Sequence, residues 1–292
     1  MTTETGIPSE ATLASSSSGD VNGVRWRAAT RAGGSKANQD RYLVTPTRLG
    51  ALAVVIDGAT SVNNARPNGA DYAEVLSQSL AAATESMASS PTNLLRHGIE
   101  HVRHELRLPG ETAPSAAVAL VHVSSHSVDI TVLGDCTVTI SISKTSQPVS
   151  LCDTRLERIA AGLRADYRQR LTEGNGFDAT HAAMLARIRK IELSARNMPG
   201  GYPIAADDSA AAEHALTASY PRDTVKWITL ASDGAATGPE RYGTPTDWAA
   251  AVAMEPSQVL AWTHLAEEED RQAMRWPRSK PHDDKTLIIL DL

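Results

Sequence analysis

The chain has 292 residues, 41% of them hydrophobic and 21% charged, with a formal net charge of -6. That is ordinary globular composition, long enough for one large core or two modest ones, and it offers no basic face to a nucleic acid. Two cysteines, Cys136 and Cys152, form no disulfide framework and show no zinc spacing, and no apolar run reaches the roughly 20 residues of a membrane helix. With no basic-then-apolar signal at the N-terminus either, the expected setting is reduced and cytoplasmic.

Residues 1–22 are rich in Thr, Ser and Glu and read as a disordered tail ahead of a single domain over 23–292. Alternation over 24–30 predicts an edge strand. A Gly-rich polar loop then carries Lys36, Gln39 and Asp40 into a second strand. Residues 51–58 (ALAVVIDG) are a continuous apolar run ending in Asp57-Gly58, the pattern of a fully buried strand with a carboxylate at its exit. Gly58 lets the backbone turn and its carbonyl approach a ligand closely. Past a polar loop with Thr60, Ser61, Asn63 and Asn64, amphipathic helices are expected over 68–87 and 91–108. The second sets His97, His101 and His104 on one face, which could hold a metal. A solvated polar face or ordinary hydrogen-bonded histidines is the simpler reading.

Runs over 115–123, 127–134 and 137–143 read as an antiparallel meander with Asp135 at its last turn. Helices begin at Asp153 and Asp178 and make up a helical insert around 153–202. Asp207-Asp208-Ser209 is expected to cap a short helix over 210–217. An apolar strand then delivers a second Asp-Gly corner, Asp233-Gly234. Helices near 246–254 and 256–275 follow, and Asp283-Asp284 leads into a final buried strand. Strands cluster in three places with helical hairpins between them. That order predicts an α+β fold of antiparallel sheets with helices packed outside.

Asp-Gly after a strand is also a hairpin-turn signal, and either copy alone supports no more than that. Two copies far apart, with Asp40 and Asp283 each opening a strand, give four carboxylates at strand termini. Carboxylates crowded at one sheet edge repel strongly unless a cation sits among them. Oxygen ligands without Cys or an obligatory His select Mg²⁺ or Mn²⁺ over Zn²⁺. Two such ions could hold a water, lower its pKa and clamp a phosphoryl group for in-line attack.

Five short motifs occur in order: Asn38-Gln39-Asp40, Val55-Ile56-Asp57-Gly58, Leu133-Gly134-Asp135, Leu230-Ala231-Ser232-Asp233-Gly234, and Asp283-Asp284-Lys285-Thr286-Leu287. Together they resemble the motifs of PP2C-type (PPM) serine/threonine phosphatases, over nearly the whole chain from residue 24. The resemblance implies an α-β-β-α sandwich with two Mn²⁺ or Mg²⁺ ions at one end, and a third, weaker one. By motif, Asp57 would bridge two ions and the Gly58 carbonyl would bind one. Asp233 and Asp283 would complete one site, Asp40 and Gln39 would line the other, and Asp135 with Asp233 would hold the third. The implied reaction is hydrolysis of phosphate monoesters by metal-activated water, with phosphoserine or phosphothreonine in a protein as the default substrate.

The chain departs from the pattern at several positions. Gln39 replaces the usual Glu, Ala59 the usual His, Thr237 an acidic residue, and 114–117 a Thr-rich strand motif. The phosphate-binding Arg has no exact match. Lys36 is the nearest substitute, with Arg31 behind it, and Lys holds phosphate as a point charge, not bidentately. Two other readings stay open: a small phosphorylated metabolite as substrate, with the insert as a lid, and a catalytically weak binding module that keeps the fold. Oligomeric state is not legible in the sequence.

Overall fold

The computed structural model describes residues 14–59, 66–84, 90–108, 110–143 and 147–292. Thr60, Ser61, Asn63, Asn64 and the first 13 residues of the expected tail lie outside them.

The described strands form two sheets. One runs β1 (Ser15–Val21), β2 (Val24–Arg31), β11 (Lys285–Asp291), β10 (Val225–Ala231), β7 (Thr137–Ile142), β8 (Val149–Cys152). The other runs β3 (Asp40–Thr47), β4 (Gly50–Gly58), β5 (Ala116–Ser124), β6 (Ser127–Leu133), β9 (Leu216–Pro221). Every neighbouring pair is antiparallel.

The two-residue period of a strand sorts the apolar residues of β4 between two cores. Ala51, Ala53 and Val55 face the layer between the sheets, where they meet Ile228, Leu230 and Ile288. Leu52, Val54 and Ile56 face the helices α1 (Gly69–Ala83) and α2 (Pro91–Glu105), against Tyr72, Leu76 and Leu95. Burial on both faces is why this strand reads as an unbroken apolar run. Each fully buried Leu or Ile here contributes about 1.5–3 kcal/mol. On the far side of the six-stranded sheet, α6 (Asp233–Thr237), α7 (Trp248–Val252) and α8 (Pro256–Glu269) pack on Ala29, Leu287 and Ile289. The layers are therefore helix, sheet, sheet, helix.

The insert comprises α3 (Arg155–Arg158), α4 (Ala161–Thr172) and α5 (Ala179–Ala195). The single helix expected from Asp153 to 172 is broken at Ala160, which adopts a left-handed φ of 54°. The Asp178 cap forms as expected, its carboxylate accepting the His181 N–H at 2.7 Å. Tyr167, Leu171 and Ile188 bury a small core of their own with Ala273.

Four further expectations are corrected. The polar stretch Ser15–Val21 is a strand, paired along its length with β2, so the tail does not extend to residue 22. For the same reason residues 24–30 are not an edge strand: β2 lies between β1 and β11. The meander is broken, because β5 and β6 belong to one sheet and β7 to the other. The helix expected over 210–217 is a short 3-10 turn, Ser209–His214, followed by strand β9. In each case backbone pairing overrides a weak side-chain pattern.

Candidate metal centre

Asp40 and Asp57 are direct cross-strand partners at the open end of the β3–β4 pair. The loop before β3 is folded onto the other sheet by Asp284, whose two carboxylate oxygens accept the N–H groups of Gly33 and Gln39, each at 2.8 Å. The Gln39 carbonyl in turn accepts the Gly58 N–H at 3.2 Å. Gly58 has no room for a side chain: a Cβ there would lie 2.4 Å from the Gly69 carbonyl oxygen. Two strands from one sheet and the Asp283-Asp284 corner from the other are thus held at one end of the sandwich.

Asp135 arrives where the chain crosses from β6 to β7, which is the crossing that breaks the meander. Asp233 stands at the exit of β10 as the first residue of α6. Its corner is tied to β11 in both directions: Ser232 N–H donates to the Thr286 carbonyl at 3.0 Å, and Thr286 N–H to Ser232 Oγ at 2.9 Å. A Cβ on Gly234 would lie 2.1 Å from the Asp284 carbonyl oxygen and 2.9 Å from Asp283 Cβ. Glycine therefore allows the Asp233 and Asp283 corners to touch.

The electrostatics match the crowding. Burial pushes the Asp57 carboxyl well above its usual range, and the charges of Asp40, Asp233, Asp283 and Asp135 push it further. Burial also raises Asp233, to about 8, with Asp283 and Asp135 adding to it. Asp135 is raised by burial as well, with Asp283 pushing the same way and Arg164 opposing. Asp40 is almost wholly buried and is raised to about 7, chiefly by burial. The Ser232 and Thr286 hydroxyls temper that rise, yet neither Asp40 oxygen has a partner of hydrogen-bonding geometry among the described residues. An unpartnered buried carboxylate costs several kcal/mol. Five crowded carboxylates, one of them with two orphaned oxygens, form an oxygen donor set that fits hard divalent cations.

Within the described residues, one cation already reaches into this set. The Lys280 ammonium pairs with Asp283 Oδ1. Burial pulls its pKa down, but Asp283, Asp233 and Asp57 outweigh that and hold it well above the usual lysine value. A cavity of about 450 Å³ opens beside Asp135, Asp233 and Asp283, and Arg164, Arg168 and Lys280 line it. The first two come from α4, so the insert forms a wall of the cavity. Arg164 is engaged by Glu192 and the Ile159 carbonyl. Arg168 is exposed, its guanidinium 5.9 Å from the Tyr167 ring centroid.

The predicted residues Gln39, Asp40, Asp57, Gly58, Asp135, Asp233 and Asp283 all come to this end of the sandwich. Lys36 does not line the cavity; it stands exposed in the loop before β3. Ala59 gives its N–H to the Ser115 carbonyl at 2.9 Å, and Thr237 Oγ1 donates to the Gly234 carbonyl at 2.9 Å. His97, His101 and His104 are exposed on α2, with His104 bonded to Glu100. Lys280, Arg164 and Arg168 were not singled out from the sequence. The one available signal was a lysine three residues ahead of Asp283, which shows nothing until the intervening loop folds.

No protein-family model matches the sequence, and no curated protein sequence matches it. Solved structures do match. The serine/threonine phosphatase Stp1 from Staphylococcus aureus superposes with a TM-score of 0.56 at 13% identity, over 91% of this chain and 94% of that one. The serine/threonine phosphatase PstP/Ppp from Mycobacterium tuberculosis gives 0.52 at 13% identity, over 93% and 99%. The catalytic domain of serine threonine protein phosphatase PstP in complex with 2 manganese ions gives 0.52 at 12% identity, over 93% and 98%. Two antiparallel sheets flanked by helices, matched over nine-tenths of their length, give this chain the fold of the PP2C-type phosphatases.

Proposed function

We propose that the chain is a metal-dependent phosphatase that hydrolyses phosphate monoesters, with phosphoserine or phosphothreonine in proteins as the substrate class. The observation that carries this reading is the convergence of Asp40, Asp57, Asp135, Asp233 and Asp283, the first four raised by burial and two oxygens of Asp40 orphaned, beside a cavity with a cationic wall. Asp57 and the Gly58 carbonyl would hold Mn²⁺ or Mg²⁺ there, with Asp233 and Asp283 on one side, Asp40 and Gln39 on the other, and Asp135 with Asp233 for a weaker third ion. Bound there, the ions would lower the pKa of a water and neutralise phosphoryl oxygens.

The protein's own groups supply the rest. Asp284 fixes the loop that presents Asp40 and Gln39. Arg168, exposed on the cavity wall, is the better placed cation for a phosphate or an acidic flank of a peptide, and Lys36 lies outside the lining. A neutral Gln39 still offers an oxygen but removes one negative charge, which weakens that ion's site relative to a Glu.

The test is hydrolysis of p-nitrophenyl phosphate and of phosphoserine and phosphothreonine peptides, with and without Mn²⁺. Manganese-dependent turnover that Asp57→Ala and Asp233→Ala both abolish supports the assignment. Absence of turnover with any divalent ion, in a folded protein, overturns it.

A further inference from the structure

A second set of donors lies behind the carboxylate centre and shares no ligand atom with it. His264 and Glu268 sit one turn apart on α8, and His282 comes from the segment that precedes β11. Their donor atoms lie within 4.8 Å of one another. Glu268 Oε1 is 3.0 Å from His282 Nε2 and 4.0 Å from His264 Nε2. Bond lengths of about 2.0–2.1 Å in a tetrahedral zinc site put neighbouring donors about 3.3 Å apart, so these spacings bracket the required one.

The surroundings of His282 point the same way. The two rings stack with centroids 4.2 Å apart and an interplanar angle of 26°. His282 Nδ1 is bonded to Glu267 Oε2 at 2.9 Å. That leaves Nε2 as the ligating nitrogen, with the carboxylate behind the ring that metal-binding histidines characteristically have. Glu267 is itself held by Lys285 Nζ at 2.8 Å, so this support is fixed by a buried ion pair. His264 Nδ1 is buried with no hydrogen-bond partner among the described residues. Arg31 and Lys285 add positive charge nearby, and the carboxylates of Glu267 and Glu268 offset it.

We propose that His264, Glu268 and His282 bind a single Zn²⁺ ion, with a further coordination position left to solvent. Two imidazoles and one carboxylate select zinc over the hard cations that suit an all-oxygen site. The ion would join α8 to the residue directly ahead of Asp283, acting as a clamp on the segment that carries it.

The test uses the chelator-stripped full chain titrated with Co²⁺ as a spectroscopic substitute, and with Zn²⁺ against a chromophoric chelator. The expected result is one equivalent with the visible absorption of four- or five-coordinate Co²⁺, displaced by Zn²⁺. It persists in Asp233→Ala, and Glu268→Gln and His264→Gln each weaken it by about tenfold or more. Glu268 is the more exposed ligand, so its variant keeps the test decisive if His264→Gln fails to fold. Absence of the visible band in the native chain, or its persistence unchanged in Glu268→Gln, overturns the proposal.

Discussion

Lys280 pairs its ammonium with Asp283 at the same end of the sandwich where Asp57, Asp135 and Asp233 meet. The metal-free protein thus meets part of its own charge demand with a side chain. A divalent ion bound through Asp283 must compete with that ammonium. Lys280 keeps 40% of its side-chain surface exposed, so solvent screens the interaction. Lys280→Met should tighten Mn²⁺ binding by about three- to tenfold, measured by calorimetric titration of the stripped protein. Unchanged or weaker binding would show that the lysine does not compete.

The raised carboxyls set the sign of the pH dependence. Asp40 and Asp233 rise from 3.8 to about 7 and about 8, so between those limits the folded chain binds more protons than the unfolded one. Stability then falls as pH rises through that window. Lys280 does not alter this, because a raised lysine pKa loses its contribution only at higher pH. The metal-free protein should melt several degrees higher near pH 5.5 than near pH 8, on the order expected for a few kcal/mol. Saturating Mn²⁺ should reverse the order, since the ion binds ionised carboxylates. Thermal scans at both pH values, with and without Mn²⁺, check this.

Asp57→Ala removes the carboxylate whose pKa four other acids raise. It should cost about a thousandfold or more in turnover, as expected when the main charge-stabilising group of a site is lost. The same change relieves repulsion, so the metal-free variant should melt higher than the native protein near neutral pH. Finding activity and metal-free stability lost together would mean that Asp57 is a structural residue.

Asp284 accepts two backbone N–H groups in the loop before β3. Asp284→Ala leaves both without an acceptor and should destabilise the chain by about 1–3 kcal/mol in urea unfolding. Mn²⁺ affinity should fall with it, because Asp40 loses its support. Asp284→Asn keeps one acceptor oxygen and should recover part of both losses.

Arg168 lines the cavity from α4 without an ion pair among the described residues. Arg168→Ala should raise KM for a phosphopeptide severalfold and leave hydrolysis of p-nitrophenyl phosphate nearly unchanged. Equal effects on both substrates would place the guanidinium on the phosphate itself.

Much of this centre was legible in the sequence because β4, β10 and β11 are buried on both faces. An unbroken apolar run with Asp at its end or just ahead of it announces itself without any partner. β1 was hidden because Ser15, Ser16, Ser17 and Ser18 bury nothing, and the strand is held chiefly by backbone pairing. The change of sheet between Leu133 and Thr137 was equally hidden, since a two-residue period looks the same in either sheet. Lys280, and the meeting of His264 with His282, depend on how one irregular segment lies against α8. No local pattern encodes that.

The carboxylates do not hang from comparable supports. β4, β10 and β11, which position Asp57, Asp233 and Asp283, are interior strands of their sheets, whereas Lys280 and Arg168 come from a loop and from an insert with its own small core. Exposing the acidic end would require separating the most heavily protected strands, an event close to global unfolding. The cationic rim can open or be rebuilt at far lower free energy. Amide exchange should therefore be slowest at residues 54–56 and 287–289 and much faster in α4. Changes in substrate preference can then accumulate on the rim while the ion-binding geometry stays untouched.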